Sequence, residues 1–258
     1  MKTRTVRDIL EFLNQAAPFD TQEAFDNSGL QVGHPDTPVH CVLLALDVTE
    51  EVIREAEALG AQLIISHHPL LFVPQKTLDL SCHVPNLLAM LIKRDIALIS
   101  VHTNFDQSPQ YSASAALARG LNLQTIRQQG AYLFLGELET PLSGAALKER
   151  LSSALKSPVR MYGMPDLPVT TLAIAGGAYS EGFHDAHLCG AQALLTGEVR
   201  HHHAVEAAQS GFVLFDGGHY ATEAPMLGAL ALGLQTMQDT VEYPLQVHVS
   251  RSEPYRLQ

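Results

Sequence analysis

The chain has 258 residues, 46% of them hydrophobic and 17% charged, so it can bury the core of one large domain or two small ones. Its formal net charge of -11 argues against nucleic acid or an anionic membrane surface as the main partner. Three isolated cysteines, and no apolar window of about 20 residues, predict a cytoplasmic protein without disulfides, signal peptide or membrane span.

The first part of the chain predicts strands and helices in alternation. Thr5 is expected to cap a helix that ends before Pro18, and Thr49 to cap another that ends at Gly60. Short connections between the predicted elements indicate βαβ units, and hence a parallel sheet. The expected strands are residues 39–46, 63–65 and 96–101, and the further helices are residues 85–94 and 112–121.

From about Gln124 a second set of elements begins. We therefore predict an α/β fold of two related halves, residues 1–123 and 124–258, with sheets flanked by helices and the C-terminal segment completing the first half. The expected strands are residues 133–138, 172–175, 193–195 and 212–215, with an edge strand at 245–249, and the expected helices include 143–155, 201–209 and 222–234.

An internal repeat supports the two halves. Gly60-Ala61-Gln62 and Gly190-Ala191-Gln192 each follow a predicted helix and precede a predicted strand. In both halves a later strand then ends in a histidine with a carboxylate four residues on, His102 with Asp106 and His219 with Glu223. If the halves are related, these groups leave equivalent sheet edges and converge in one cleft.

Two strand ends carry side chains that bind metals. His67 and His68 follow the strand at 63–65, and Pro69 fixes the next backbone turn. His219 and Glu223 follow the strand at 212–215 and are one helical turn apart. Imidazole and carboxylate together suit Zn, Fe, Mn or Ni. The alternatives are that one histidine binds while the other caps backbone groups, and that Glu223 only caps a helix.

Other polar residues allow two interpretations each. Asp106 could ligate a metal or form an Asx turn, and His102 could lie near the metal or in the core. Residues 26–29 could simply form a turn. The run at 201–203 lies on a predicted helix, so its three histidines cannot all bind one ion; a solvated or supporting role is expected, and Glu198 is the better supporting candidate.

Five motifs follow one another along the chain. They are Asp26-Asn27-Ser28-Gly29-Leu30-Gln31-Val32-Gly33, Ser66-His67-His68-Pro69-Leu70, His102-Thr103-Asn104-Phe105-Asp106, Thr196-Gly197-Glu198 and Gly218-His219-Tyr220-Ala221-Thr222-Glu223. In this order they resemble the Nif-three-like family, whose bacterial members are labelled GTP cyclohydrolase I type 2 homologs. The resemblance covers residues 6–249 and the chain matches the short form, without a long central insertion.

The resemblance implies two divalent metal ions per chain in a cleft between the halves, and a homohexamer built as a trimer of dimers. Matched by position, the implied metal ligands are His67, His68, Asp106, His219 and Glu223. The leading hypothesis is a cytoplasmic metal-dependent hydrolase of a nucleotide-like or phosphorylated small molecule, in which Glu198 or His102 moves protons. The alternative is a non-catalytic metal-binding assembly protein that acts through partner contacts.

Overall fold

A computed structural model describes residues 4–237 and 244–255. The helices, in chain order, are α1 Val6–Ala16, α2 Glu50–Leu59, α3 His83–Lys93, α4 Thr103–Asp106, α5 Ala113–Gly120, α6 Gly144–Leu155, α7 Phe183–Leu188, α8 His201–Gln209, α9 His219–Glu223 and α10 Pro225–Gln235. The strands are β1 Gly29–Val32, β2 Cys41–Ala45, β3 Leu63–Ser66, β4 Ala97–Ser100, β5 Gln124–Gln129, β6 Leu133–Ser143, β7 Arg160–Tyr162, β8 Pro168–Ile174, β9 Ala193–Thr196, β10 Val213–Asp216 and β11 Gln246–Val249.

The chain forms two compact units. Unit 1 comprises residues 1–105 with 227–258, and unit 2 comprises residues 106–226. The predicted fold class, α/β with two sheets flanked by helices, is confirmed. No helix among the described residues is long and apolar enough to cross a membrane.

Unit 1 contains a five-stranded sheet in the order β1-β4-β3-β2-β11. Strands β4, β3, β2 and β11 are parallel, and β1 is antiparallel at one edge. Strands β2, β3 and β4 are buried along their whole length, as expected for parallel strands covered on both faces. The predicted caps are confirmed: Thr5 and Asp8 form a capping box on α1, Thr49 caps the start of α2, and Gly60, with a φ of 65°, caps its end.

Unit 2 contains a six-stranded sheet in the order β5-β6-β8-β9-β10-β7. Its centre, β8-β9-β10, is parallel, while β5, β6 and β7 add antiparallel pairs at the two sides. Strands β5 and β7 were not expected, because β5 is almost entirely exposed and polar and β7 is only three residues long. The single helix predicted at 222–234 is instead α9 and α10, since Pro225 cannot donate the backbone bond that would continue α9.

The repeated Gly-Ala-Gln sequence has the same structural role in both units. In unit 1 the Gln62 side-chain oxygen accepts from the backbone N–H groups of His40 and Cys41, and its amide donates to Gly60. In unit 2 Gln192 accepts from the N–H groups of Thr170 and Thr171, and its amide donates to Gly190. One glutamine thus joins the helix end to the neighbouring parallel strand in each unit.

Strand register corrects one detail of the repeat. Leu63 pairs with Ala97 in unit 1, and Ala193 pairs with Val213 in unit 2. Ala97 and Val213 therefore occupy equivalent positions in the two units. Six residues after each of them lie Thr103, the first residue of α4, and His219. Five residues after each of them lie His102 and Gly218. The match between the two histidine–carboxylate pairs is therefore displaced by one residue.

Candidate metal centre

In unit 1 two histidines directly continue the buried strand β3. The backbone N–H of His67 donates to Ala45 at 3.0 Å, and that of His68 donates to Leu46 at 2.9 Å, so the chain remains paired past the strand end. His67 is completely buried, and the side chain of His68 is 27% exposed. Both rings are therefore held by regular backbone structure rather than by a mobile loop.

Each histidine of this edge is anchored through Nδ1. His67 Nδ1 lies 2.8 Å from the Val101 carbonyl oxygen, His68 Nδ1 lies 2.8 Å from Asp47 Oδ1, and His102 Nδ1 lies 2.8 Å from Asp26 Oδ1. A carbonyl or carboxylate oxygen only accepts, so Nδ1 carries the proton and Nε2 of the neutral ring carries the lone pair. This tautomer, fixed by a carbonyl or carboxylate, is the one usual for metal-binding histidines.

The three rings form a compact cluster. Ring centroids are 4.9 Å apart for His67 and His68, 5.1 Å for His67 and His102, and 5.7 Å for His68 and His102. One nitrogen from each ring lies within 4.8 Å of the other two, which is a spacing that a single ion can bridge. Unit 1 therefore presents a group of imidazoles with the chemistry of a transition-metal site.

Asp26 is the most heavily bonded carboxylate of this edge. Besides His102, it accepts from the Thr103 N–H at 3.0 Å and the Asn27 N–H at 2.7 Å, and its side chain is fully buried. Burial alone raises its pKa, but the hydrogen bonds from His102 and Thr103 outweigh burial and hold the pKa well below the usual range. A simple turn at residues 26–29 was too narrow an interpretation, because Asp26 binds residues 76 and 77 positions away.

In unit 2 one histidine lies between two carboxylates. His219 Nδ1 is 2.7 Å from Glu198 Oε1, and His219 Nε2 is 3.2 Å from Glu223 Oε1. Glu198 follows β9, and the other two residues lie on α9 immediately after β10. Glu198 therefore supports His219 in the manner expected of a residue that holds a metal-binding ring.

The arrangement around His219 fits a cation. With Nδ1 donating to Glu198, the neutral ring presents a lone pair at Nε2 toward the Glu223 carboxylate, and two such groups repel each other. A proton or a metal ion relieves this repulsion. The side chain of Glu223 is only 6% exposed, so solvent provides little screening, and a divalent ion is well suited to the pair.

Glycines allow the backbone to approach this pair closely. A Cβ at Gly177 would lie 2.2 Å from Glu223 Oε1, and its φ of +67° favours glycine. A Cβ at Gly197 would lie 2.8 Å from the Cα of His219 and 2.8 Å from the carbonyl oxygen of Gly177. The absence of side chains at Gly177 and Gly197 thus leaves the space in which His219 and Glu223 lie.

The remaining candidate residues, Asp106 and the histidines at 201–203, differ in exposure and in the groups that they contact. Asp106 is the last residue of α4, one turn beyond His102, and is partly exposed. His201 and His202 are exposed, whereas His203 is buried and its Nδ1 lies 2.8 Å from Ser180 Oγ. Burial lowers the pKa of His203, which favours its neutral form. The solvated role considered for the run thus fits His201 and His202, whereas His203 is buried against Ser180.

Two contributors were missed from the sequence, Asp47 and Gly177. Asp47 follows β2 by two residues, so a carboxylate just beyond a third strand end was a usable signal. Gly177 carries no functional group, and only its distance to Glu223 reveals its importance.

Curated relatives cover most of the chain. It is 34% identical to the GTP cyclohydrolase 1 type 2 homolog of Streptomyces coelicolor, over 95% of this chain and 90% of the relative. It is 33% identical to a Helicobacter pylori protein named GTP cyclohydrolase 1 type 2, over 84% of this chain and 86% of the relative.

Solved structures share the fold. A Staphylococcus aureus hypothetical protein superposes with a TM-score of 0.94 at 26% identity, over 100% of both chains. A Bacillus cereus protein related to NIF3 gives a TM-score of 0.92 at 22% identity, also over 100% of both chains, and supports the fold alone. The family model described as Duf34/NIF3 matches residues 4–255 and confirms the resemblance seen in the sequence. The chain belongs to the Duf34/NIF3 (NGG1p interacting factor 3) family.

Proposed function

We propose that this protein is a divalent-metal-dependent hydrolase that acts on a nucleotide-like or other phosphorylated small molecule. The observation that carries the proposal is the shared anchoring of His67, His68, His102 and His219, each of which has Nδ1 held by a carbonyl or carboxylate oxygen. Such anchoring orients Nε2 toward an ion. The enzyme names of the relatives support a hydrolytic reaction on GTP or a similar molecule.

The proposed ligands are His67, His68, Asp106, His219 and Glu223. That these five residues together hold two ions rests on the family resemblance, and the mixture of imidazole and carboxylate suits Fe, Zn, Mn or Ni. When bound, a divalent ion at such a site acts as a Lewis acid and lowers the pKa of water, which makes hydrolysis possible near neutral pH.

The protein's own groups would orient ligands and move protons. Asp26 holds the Nδ1–H of His102, so Nε2 can accept a proton while the neighbouring carboxylate stabilises the resulting imidazolium. Glu198 is bound to His219 and its side chain is 61% exposed, so it can exchange a proton with solvent. His102 and Glu198 are therefore the candidate proton carriers.

The alternative of a non-catalytic assembly protein is not favoured, since the relatives carry enzyme names.

The experiment combines metal analysis with turnover of untagged protein. We expect two divalent ions per chain, and hydrolysis of GTP at the imidazole carbon of the purine, followed by release of formate. His68→Gln and His219→Gln should each lower the metal content and reduce turnover by more than about 100-fold, because each removes a ligand. The matched controls, His34→Gln and His201→Gln, replace exposed histidines of the same two units.

Two results would contradict the proposal. One is a folded wild-type protein that retains almost no metal after purification and after reconstitution with each of the four ions. The other is turnover that is unchanged when metal is lost from both ligand variants.

The self-association implied by the resemblance stays a prediction; light scattering should give a mass six times that of the 28.0 kDa chain.

A further inference from the structure

Two phenylalanines of unit 1 expose their rings next to the histidine cluster. The residue exposures are 65% for Phe25 and 45% for Phe72, and the ring centroids are 6.3 Å apart with an interplanar angle of 65°. Single exposed apolar side chains are ordinary on protein surfaces. Two phenyl rings in mutual contact beside a polar cluster are a more specific feature, of the kind found where a ligand binds.

Hydrogen bonds join the two backbone segments that carry the rings. Asn27 Nδ2 donates to the Leu71 carbonyl at 2.7 Å, and the Leu71 N–H donates to Gln31 Oε1 at 2.8 Å. Gln31 in turn donates to the Asn27 carbonyl at 2.6 Å. Both backbone groups of the residue before Phe72 are thus fixed by the segment that carries Phe25. The backbone on both sides of the aromatic pair is thus preorganised, so a ligand would lose little free energy in ordering these segments.

The same segment connects the rings to the histidines. The Phe72 ring lies edge-on to His102, with centroids 6.1 Å apart and an interplanar angle of 83°. Asp26, the residue after Phe25, is the carboxylate that holds His102 Nδ1. A molecule that binds next to His102 would therefore also lie close to the Phe72 ring.

We propose that Phe25 and Phe72 form a stacking site for the planar heteroaromatic base of the substrate. This inference rests on the proposed function and narrows its substrate class to nucleotides, as against phosphorylated molecules without a base. Every nucleobase presents a π face that can stack on a phenyl ring. Since neither ring offers a hydrogen bond, the site selects an aromatic base rather than one particular base.

Fluorescence tests binding without requiring turnover. The chain contains no tryptophan, so Phe72→Trp introduces a single indole at the proposed stacking position. We expect GTP or GMP to quench its emission in a saturable manner in the metal-replete protein, and inorganic tripolyphosphate to leave it unchanged. Leu188→Trp, at an 83% exposed position of unit 2, controls for absorption of light by the nucleotide.

Smaller side chains test the contribution to affinity. Phe72→Leu and Phe25→Leu should each weaken nucleotide binding by about tenfold, because stacking is lost while apolar character is kept. Tripolyphosphate binding should not change. Val73→Ala is the matched control, since it trims an exposed apolar side chain of the same loop without removing a ring.

The outcomes separate this inference from the proposed function. Saturable quenching without any turnover would support the stacking site while the hydrolase proposal fails. Turnover of GTP with an unchanged KM in both leucine variants, and no quenching, would overturn the stacking site alone. A third result would also overturn the stacking site. In it, the indole emission is blue-shifted before nucleotide is added, changes when the protein is diluted and does not respond to nucleotide. The rings would then be assigned to a contact between copies of the chain.

Discussion

Unit 1 and unit 2 each enter their central parallel strands through Gly-Ala-Gln, yet they place different residues where those strands end. In register, His67 of unit 1 corresponds to Gly197 of unit 2, and His68 corresponds to Glu198. Unit 1 therefore carries imidazoles directly on the strand end. Unit 2 has a glycine and a supporting carboxylate there, and its candidate ligands follow on the short helix α9.

The difference shows two ways to fix a metal-binding group. In unit 1 each ring is held by regular backbone pairing and by an oxygen at Nδ1, so the rigidity comes from hydrogen bonds. In unit 2 Glu198 likewise holds Nδ1 of His219, but the backbone at Gly177 and Gly197 also comes close to His219 and Glu223, so packing adds to the rigidity. Adding one methyl group at Gly177 should therefore damage unit 2, whereas removing the charge of Asp26 should damage unit 1.

The largest effect is expected for Gly177→Ala. Its Cβ would overlap Glu223 Oε1 at 2.2 Å, and a side chain at a φ of +67° is strained by about 1–3 kcal/mol. We expect displacement of the Glu223 carboxylate and loss of metal from unit 2, measured by elemental analysis and by thermal unfolding. Gly120→Ala is the control, because the added Cβ would point into open space among the described residues. Equal metal content in both variants would contradict the packing argument.

The next effect is expected for Asp26→Asn in unit 1. Loss of the charged acceptor for His102 and Thr103 should lower the free energy of unfolding by about 2 kcal/mol near neutral pH. The folded-state pKa of Asp26 lies below its ordinary value of 3.8, so its contribution is complete above that pH and is lost as the pH falls through the folded-state pKa. The difference between wild type and variant should therefore shrink in acid.

Chemical denaturation at about pH 7 and about pH 3 measures this difference. Asp36→Asn is the control, because Asp36 is a 62% exposed carboxylate that pairs with Arg7. If the variant at position 26 were destabilised equally at both pH values, its charge would not be the cause.

The smallest effect tests the similarity of the two units. Gln62→Met and Gln192→Met should each cost about 1–2 kcal/mol, because each leaves two backbone N–H groups without their side-chain acceptor. The two costs should be alike, and Gln209→Met, at an exposed position, should be neutral. Urea unfolding measures all three. A large cost at only one of the two glutamines would show that the repeated sequence has diverged in function.

Local signals in the sequence were enough for the central elements and for the candidate ligands. Parallel strands such as β3 and β9 are continuous apolar runs, and capping residues such as Thr49 mark helix starts, so both are readable from a few neighbouring residues. Strands β5 and β7 are not, because exposed or three-residue strands lack an apolar pattern.

The sequence by itself determined the family, the α/β class and the identity of the imidazoles and carboxylates at the strand ends, because those depend on residue type and order. Only the tertiary structure decided which oxygen fixes each imidazole. Asp26 meets His102 across 76 residues, and Gly177 meets Glu223 across 46 residues, because sheet register brings distant chain segments to one edge. Orientation and close approach are properties of that register, which no local pattern contains.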